Sequence, residues 1–156
     1  MTTTSAAGRV DPNAIAQMSR SELDRLFRDS PAGPIPAGRA RGTAILLPGT
    51  AIDRAIAALV RVLVWKGKVF SSATADLKNR IGPLGTPLIR ALVYEDKSWF
   101  APGPAIILDY SKTSLVAGMI RDEIRQVAPG VYLGQVFWGK KRIAHFMLEF
   151  PRGAAT

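Results

Sequence analysis

The chain contains no cysteine. That removes a disulfide frame, a thiolate metal site and a thiol nucleophile together. Histidine occurs once in 156 residues, at His145. A Ser-His-Asp triad would therefore have to be built around that residue, and a site with several histidines cannot form within one chain. No run approaches the roughly twenty apolar residues that a membrane-spanning helix needs. Met1 to Val10 hold one arginine and no apolar signal-peptide core. The expectation is a cytoplasmic protein without a transmembrane segment. At this length, with 47% hydrophobic residues, one domain with a true core is the natural outcome.

Acidic residues are also scarce, 12 against 21 lysines and arginines, which leaves a formal charge of +9. Such an excess invites a phosphate-backbone partner. Its distribution points elsewhere, because the pairs Arg39 and Arg41, Lys66 and Lys68, and Lys78 and Arg80 have the two-residue spacing of a solvated strand face. The triplet Lys140, Lys141 and Arg142 follows Phe137 and Trp138, so it is the best nucleic-acid candidate, yet it sits where a hairpin tip is expected. Nucleic acid is the disfavoured partner on this reading.

Residues 1–17 are polar and rich in small side chains, and read as a mobile N-terminal segment. A single domain is expected over 18–151, with 152–156 as a tail. Ser19 and Glu22 have capping-box spacing, and Leu23, Leu26 and Phe27 make the apolar stripe of a short helix that Pro31 ends. The prolines at 31, 34 and 36 predict a stiff connector. Arg39 to Leu47 reads as a strand whose Ala40, Gly42, Ala44 and Leu46 share a face and leave room. Thr50 to about Val64 reads as an amphipathic helix with Ile52, Ile56, Leu59 and Leu63 on one side. Packing on the sheet is its favoured role, and a peripheral contact with an anionic membrane is the alternative.

Strand signals dominate the rest. They cover Lys66 to Ser72, Ala75 to Ile81, Leu88 to Glu95 and Ala105 to Tyr110, with a turn at 96–98 leading into Trp99 and Phe100 and another at Pro102, Gly103 and Pro104. Leu115 to Val127 suits either helix or strand; the compromise is a helical turn from Ser114 to Ile120 and a strand from Arg121 to Val127. Val131 to Trp138 and Ile143 to Phe150 form the clearest hairpin. In it, Ala144, Phe146, Leu148 and Phe150 oppose Ile143, His145, Met147 and Glu149, while Tyr132, Gly134, Val136 and Trp138 oppose Val131, Leu133, Gln135 and Phe137. Both faces are largely apolar. A one-sided sheet would keep a polar face, so the pattern implies a barrel interior on one side and helices or a second subunit on the other.

The fold class expected is therefore mainly β with short helices (α+β): an antiparallel barrel with an N-terminal helix and a second helix packed on or capping it. In length, in the helix leading into a strand, and in the late strands, the region 39–150 resembles lipocalin-like, calycin-type barrels. The Gly-x-Trp signature of the lipocalin first strand is absent, since Arg39 to Leu47 hold no tryptophan. The resemblance implies binding of a small hydrophobic molecule and transfers no particular residue.

The lining expected for such a cavity is Trp99, Tyr110, Tyr132, Gly134, Trp138, His145 and Met147. A cofactor-independent cyclase or isomerase using Asp109, Tyr110 and His145 as proton carriers is the rival reading. Cofactors are not required, although His145, with Met147 and Glu149 on its face, has the chemistry of a haem axial ligand or a general base; a strand histidine satisfied by a neighbour is the simpler account. Asp109, Tyr110 and Lys112 cluster at a strand end, and Arg121, Asp122 and Glu123 form a second polar group. Either group would serve at a barrel mouth, and either would serve as ordinary solvated surface. The glycines at 130, 134 and 139 lack the spacing and strand-to-helix setting of a dinucleotide loop. Gly134 instead marks a bulge, a bend or the close approach of another group. The apolar outer faces also permit a homo-oligomer.

Overall fold

The computed structural model describes residues 10–45, 68–71, 76–81, 86–111 and 118–151. Two helices come first, α1 (Pro12–Ala16) and α2 (Arg20–Asp29). Eight strands follow: β1 (Gly38–Ile45), β2 (Lys68–Ser71), β3 (Asp76–Ile81), β4 (Thr86–Lys97), β5 (Pro104–Asp109), β6 (Ile120–Ala128), β7 (Val131–Trp138) and β8 (Lys141–Glu149). Consecutive strands pair antiparallel, and β1 pairs with both β2 and β8, so the ladder returns on itself as a closed barrel. A mainly antiparallel β chain with short helices is what the sequence leads one to expect.

The alternation of apolar residues sorts into two cores. Inside lie Ala40, Phe70, Ala91, Val93, Ile106, Leu108, Tyr110, Ile120, Ile124, Tyr132, Val136, Ala144, Phe146 and Leu148. Outside, Ile45, Ala105, Ile107, Val131, Leu133 and Met147 pack against Ile15 of α1 and Leu23 and Phe27 of α2. The helices are thus the cover that two dry strand faces require. Each fully buried Leu or Phe contributes about 1.5–3 kcal/mol to that seating. Ser19 caps α2 by accepting from the Glu22 N–H at 3.2 Å, as the spacing predicts.

Arg125 fixes the other end of α2. Its guanidinium is 2% exposed, donates to the carbonyls of Phe27 at 2.9 Å and Arg28 at 3.3 Å, and reaches Pro102 and Pro104 with its remaining N–H groups. A cation at a helix C-terminus meets the negative end of the dipole and the last unpaired carbonyls at once.

Three segments differ from expectation. Residues 10–17 are not loose: Asp11 caps α1 through the Asn13 N–H, Pro12 takes a first-turn position, and Ile15 is fully buried. Two or three apolar residues in a polar stretch are enough when a ready-made apolar face awaits them. Next, β4 begins at Thr86, includes Pro87 and ends at Lys97; Pro87 is accommodated beside a register shift at Asn79/Arg80. Trp99 and Phe100 then lie in the β4–β5 loop, where the buried Glu123 carboxylate takes the Trp99 N–H at 2.7 Å and the Ser98 hydroxyl at 2.6 Å. Finally, Gly118 and Met119 form a turn and Ile120 already belongs to β6. The earlier part of the helical turn expected there, and the helix expected from Thr50 to Val64, lie outside the described residues.

Gly134 shows how the interior is filled. Its ladder partner on β8 is Phe146, whose own partner on β1 is Ala44. A Cβ at Gly134 would overlap the Phe146 ring well inside van der Waals contact. The small residues of β1 and β7 therefore make the space that one phenylalanine occupies. Gly134→Ala is expected to lower stability by about 1–3 kcal/mol, and most of that loss should disappear in a Phe146→Leu background. Urea midpoints of the four proteins check this coupling.

Candidate functional site

Rows of hydrogen-bonded partners divide the interior along the barrel axis. One end is closed by the proline-rich connector. Tyr132 donates its hydroxyl to the Pro34 carbonyl at 2.7 Å, and the Gln126 N–H donates to the Ala32 carbonyl. Gly33 adopts φ +74° where a side chain would collide with Gln126. Phe70, Tyr132 and Phe150 meet in tilted and edge-on contacts with centroids 5.6 Å apart, filling the space beneath. Phe146 lies above them in the same row as Ile106 and Ile124.

Beyond Phe146, toward the end marked by Trp138, the lining changes character. Asp122 stands between Ile120 and Ile124 in the strand alternation, and its ladder partners are the interior residues Leu108 and Val136. Its side chain is therefore inside the barrel, 1% exposed. Tyr110, fully buried just past β5, and half-buried Trp138, which pairs with Ile120, belong to the next row. Among the described interior residues, a carboxylate, a phenol and an indole thus lie on the Trp138 side of Phe146.

Of the other residues expected to line the cavity, Gly134 and Tyr132 also face the interior, and Trp99, His145 and Met147 do not. Gly134 is covered by Phe146, and Tyr132 is committed to the connector. Trp99 is half exposed on the outer loop. His145 and Met147 face outward because strand parity opposes them to Phe146, and Met147 packs beneath the helices. Asp109 and Tyr110 lie on opposite faces, with Asp109 accepting from the Tyr94 hydroxyl at 2.8 Å and from Ser111. These hydrogen bonds hold the Asp109 carboxyl below its ordinary value even though burial opposes them. The structure does not bring Asp109, Tyr110 and His145 together. Nor are Asp122 and Glu123 a solvated face, since they are 1% and 0% exposed.

His145 belongs to an ionic clamp between α2 and β8. Arg142 binds Asp24 through both guanidinium nitrogens, at 2.7 and 3.0 Å, and also donates to Gln135 at 2.8 Å. Nε2 of His145 lies 3.2 Å from the same Asp24 carboxylate. Burial, reinforced by the Arg142 charge, pushes His145 down to about 4, so the ring is neutral and donates from Nε2. Burial raises Asp24, but the bonds and charge from Arg142, then His145, bring it below its ordinary value. Nε2 is thus engaged with Asp24 beneath α2, on the outward face of β8. Among the described residues no group of three or more metal-ligating side chains occurs, and no helix is long and apolar enough to cross a membrane.

Because the folded-state pKa of His145 lies below its ordinary 6.5, protonation favours the unfolded chain. Its contribution is complete above pH 6.5 and is lost as pH falls toward 4, by about 3 kcal/mol. His145→Gln should flatten the stability profile over that window and leave the steeper loss below pH 4, where Asp24 and Asp109 protonate. Denaturant titrations at stepped pH measure it.

Sequence inspection placed Asp122 with its neighbours Arg121 and Glu123. The signal that separates it is the alternation Ile120, Asp122, Ile124, which puts the acid in register with two core isoleucines. No protein-family model matches the chain, and no curated protein matches it. Among solved structures, the chain is similar to one described as "Crystal structure of protein from Thermomonospora curvata", with a TM-score of 0.58, 21% identity, and coverage of 86% of this chain and 89% of that one. At that identity the likeness is one of fold.

Proposed function

We propose that the protein binds a small, largely apolar molecule in the barrel chamber between Phe146 and Trp138, in the manner of lipocalin-like carriers. The observation that carries this reading is Asp122. Its side chain is 1% exposed on the interior face, in one row with Leu108 and Val136, while the outer-face charges Arg125, Glu123 and Arg142 tie a helix or loop to the wall. An acidic side chain and a phenol set among apolar interior residues suit a ligand that is mostly hydrocarbon and carries one hydrogen-bond donor. The separation of Asp109, Tyr110 and His145 favours binding over the proton-transfer alternative built on those three.

Two fluorescent probes of similar shape test it: N-phenyl-1-naphthylamine, which has a donor N–H, and 1-phenylnaphthalene, which has none. Both should bind saturably at one site, the amine more tightly. Asp122→Leu should weaken the amine about tenfold, the worth of one hydrogen bond to a charged group, and leave the hydrocarbon unchanged. Ala144→Phe should block both. Absence of saturable binding by either probe to the wild-type chain overturns the reading.

A further inference from the structure

Among the described residues three large hydrophobic side chains are substantially exposed: Ile35, Trp99 and Met119. Two of them meet at the same corner. The Met119 carbonyl accepts from the Gly139 N–H at 2.8 Å, and the Met119 methyl lies beside Gly139 at the β7–β8 hairpin tip. The next residue, Lys140, places its ammonium 5.3 Å from the centre of the Trp99 ring. Beneath them, Phe137 meets Trp99 edge to face at 5.4 Å, and Arg121 lies 4.0 Å over the indole. Lys141 is exposed at the same tip, and Lys97 precedes the Trp99 loop. The acidic groups close by are occupied or oppose little: Glu123 is buried on Trp99 and Ser98, and Asp96 accepts from the Lys97 N–H.

The loop that presents Trp99 is held firmly. Glu123 fixes its first backbone N–H, and the Ser98 hydroxyl accepts from the Phe100 and Ala101 N–H groups. An exposed indole on a rigid loop, with a thioether beside it and cations around it, loses little conformational freedom on docking. Trp is the residue of membrane interfaces, and Lys and Arg beside it meet anionic headgroups.

We propose that this corner, formed by Trp99, Met119 and Lys140 with Lys141, docks the barrel on an anionic phospholipid surface, while Arg121, paired with Glu123 at 3.2 Å, holds the indole in place. The patch suits lipid better than nucleic acid because Arg121 already stacks on the indole, where an unpaired base would have to lie. Docking here sets the Trp138 end of the barrel toward the bilayer. Charge complementarity supplies the attraction, and Trp99 and Met119 supply the shallow apolar insertion.

Cosedimentation of the full chain with vesicles of phosphatidylcholine, alone or mixed with phosphatidylglycerol, tests the assignment. Binding is expected only to the mixed vesicles, and salt should weaken it. Lys140→Glu should reduce it roughly thirtyfold, from about a fivefold effect per unit charge, whereas Arg41→Glu, the same charge change on β1, should have little effect. Trp99→Ala with Met119→Ser should lower it about tenfold and remove the vesicle-induced shift in tryptophan emission. These side chains are exposed, so the fold tolerates their replacement. Equal losses for Lys140→Glu and Arg41→Glu, equal binding to neutral vesicles, or no binding to the mixed vesicles overturns the proposal. So does a single-stranded oligonucleotide that binds instead and quenches Trp99.

Discussion

The wall formed by β5 to β8 has no wet side, and the rest of the molecule follows from that. Inward residues must fill a closed space, and outward ones must be shielded by chain that comes from elsewhere. Helices α1 and α2 and the β4–β5 loop supply the shield. Each brings backbone polar groups into a dry setting, where an unpaired N–H or C=O would cost about 1–3 kcal/mol. Strand β6 answers with charges on its outward face. Arg125 takes the carbonyls at the end of α2, and Glu123 takes the N–H and hydroxyl at the start of the loop. Buried charge on this face is the means by which irregular chain is joined to a sheet.

The inward face is governed by volume. Phe146 fits because Gly134 and Ala44 yield space on both flanking strands. Below it the aromatic cluster and the connector leave the barrel stoppered, while above it small Ala144 and polar Asp122 and Tyr110 replace bulk with chemistry. Among the described residues the interior is thus graded along its axis from aromatic packing to polar side chains.

Much of this was legible in the residues. Two apolar parities in the closing hairpin gave the covered wall, and Ser19, Glu22 and Pro31 bounded α2. Small side chains at 40, 42 and 44 signalled room, though not that Phe146 would use it, since that depends on which strands become neighbours. The short helix α1 was illegible because Ile15 has meaning only against Leu133 and Met147, more than a hundred positions away. The placement of His145 turned on parity: its face was assigned correctly, but which face looked inward required knowing where the helices lay. Glu123 reads as a solvated charge beside Arg121 and Asp122, because the β4–β5 loop that buries it lies more than twenty residues earlier in the chain.

The clamp between Asp24 and Arg142 joins the first long helix to the last strand, 118 residues apart. During synthesis the amphipathic α2 leaves the ribosome well before its docking surface exists, since β8 follows it by more than a hundred residues. Its Leu23 and Phe27 must wait for the barrel to close. Closure and helix seating are therefore coupled late events, and contacts of such long sequence separation make for slow folding with an interval in which that stripe is available to chaperones.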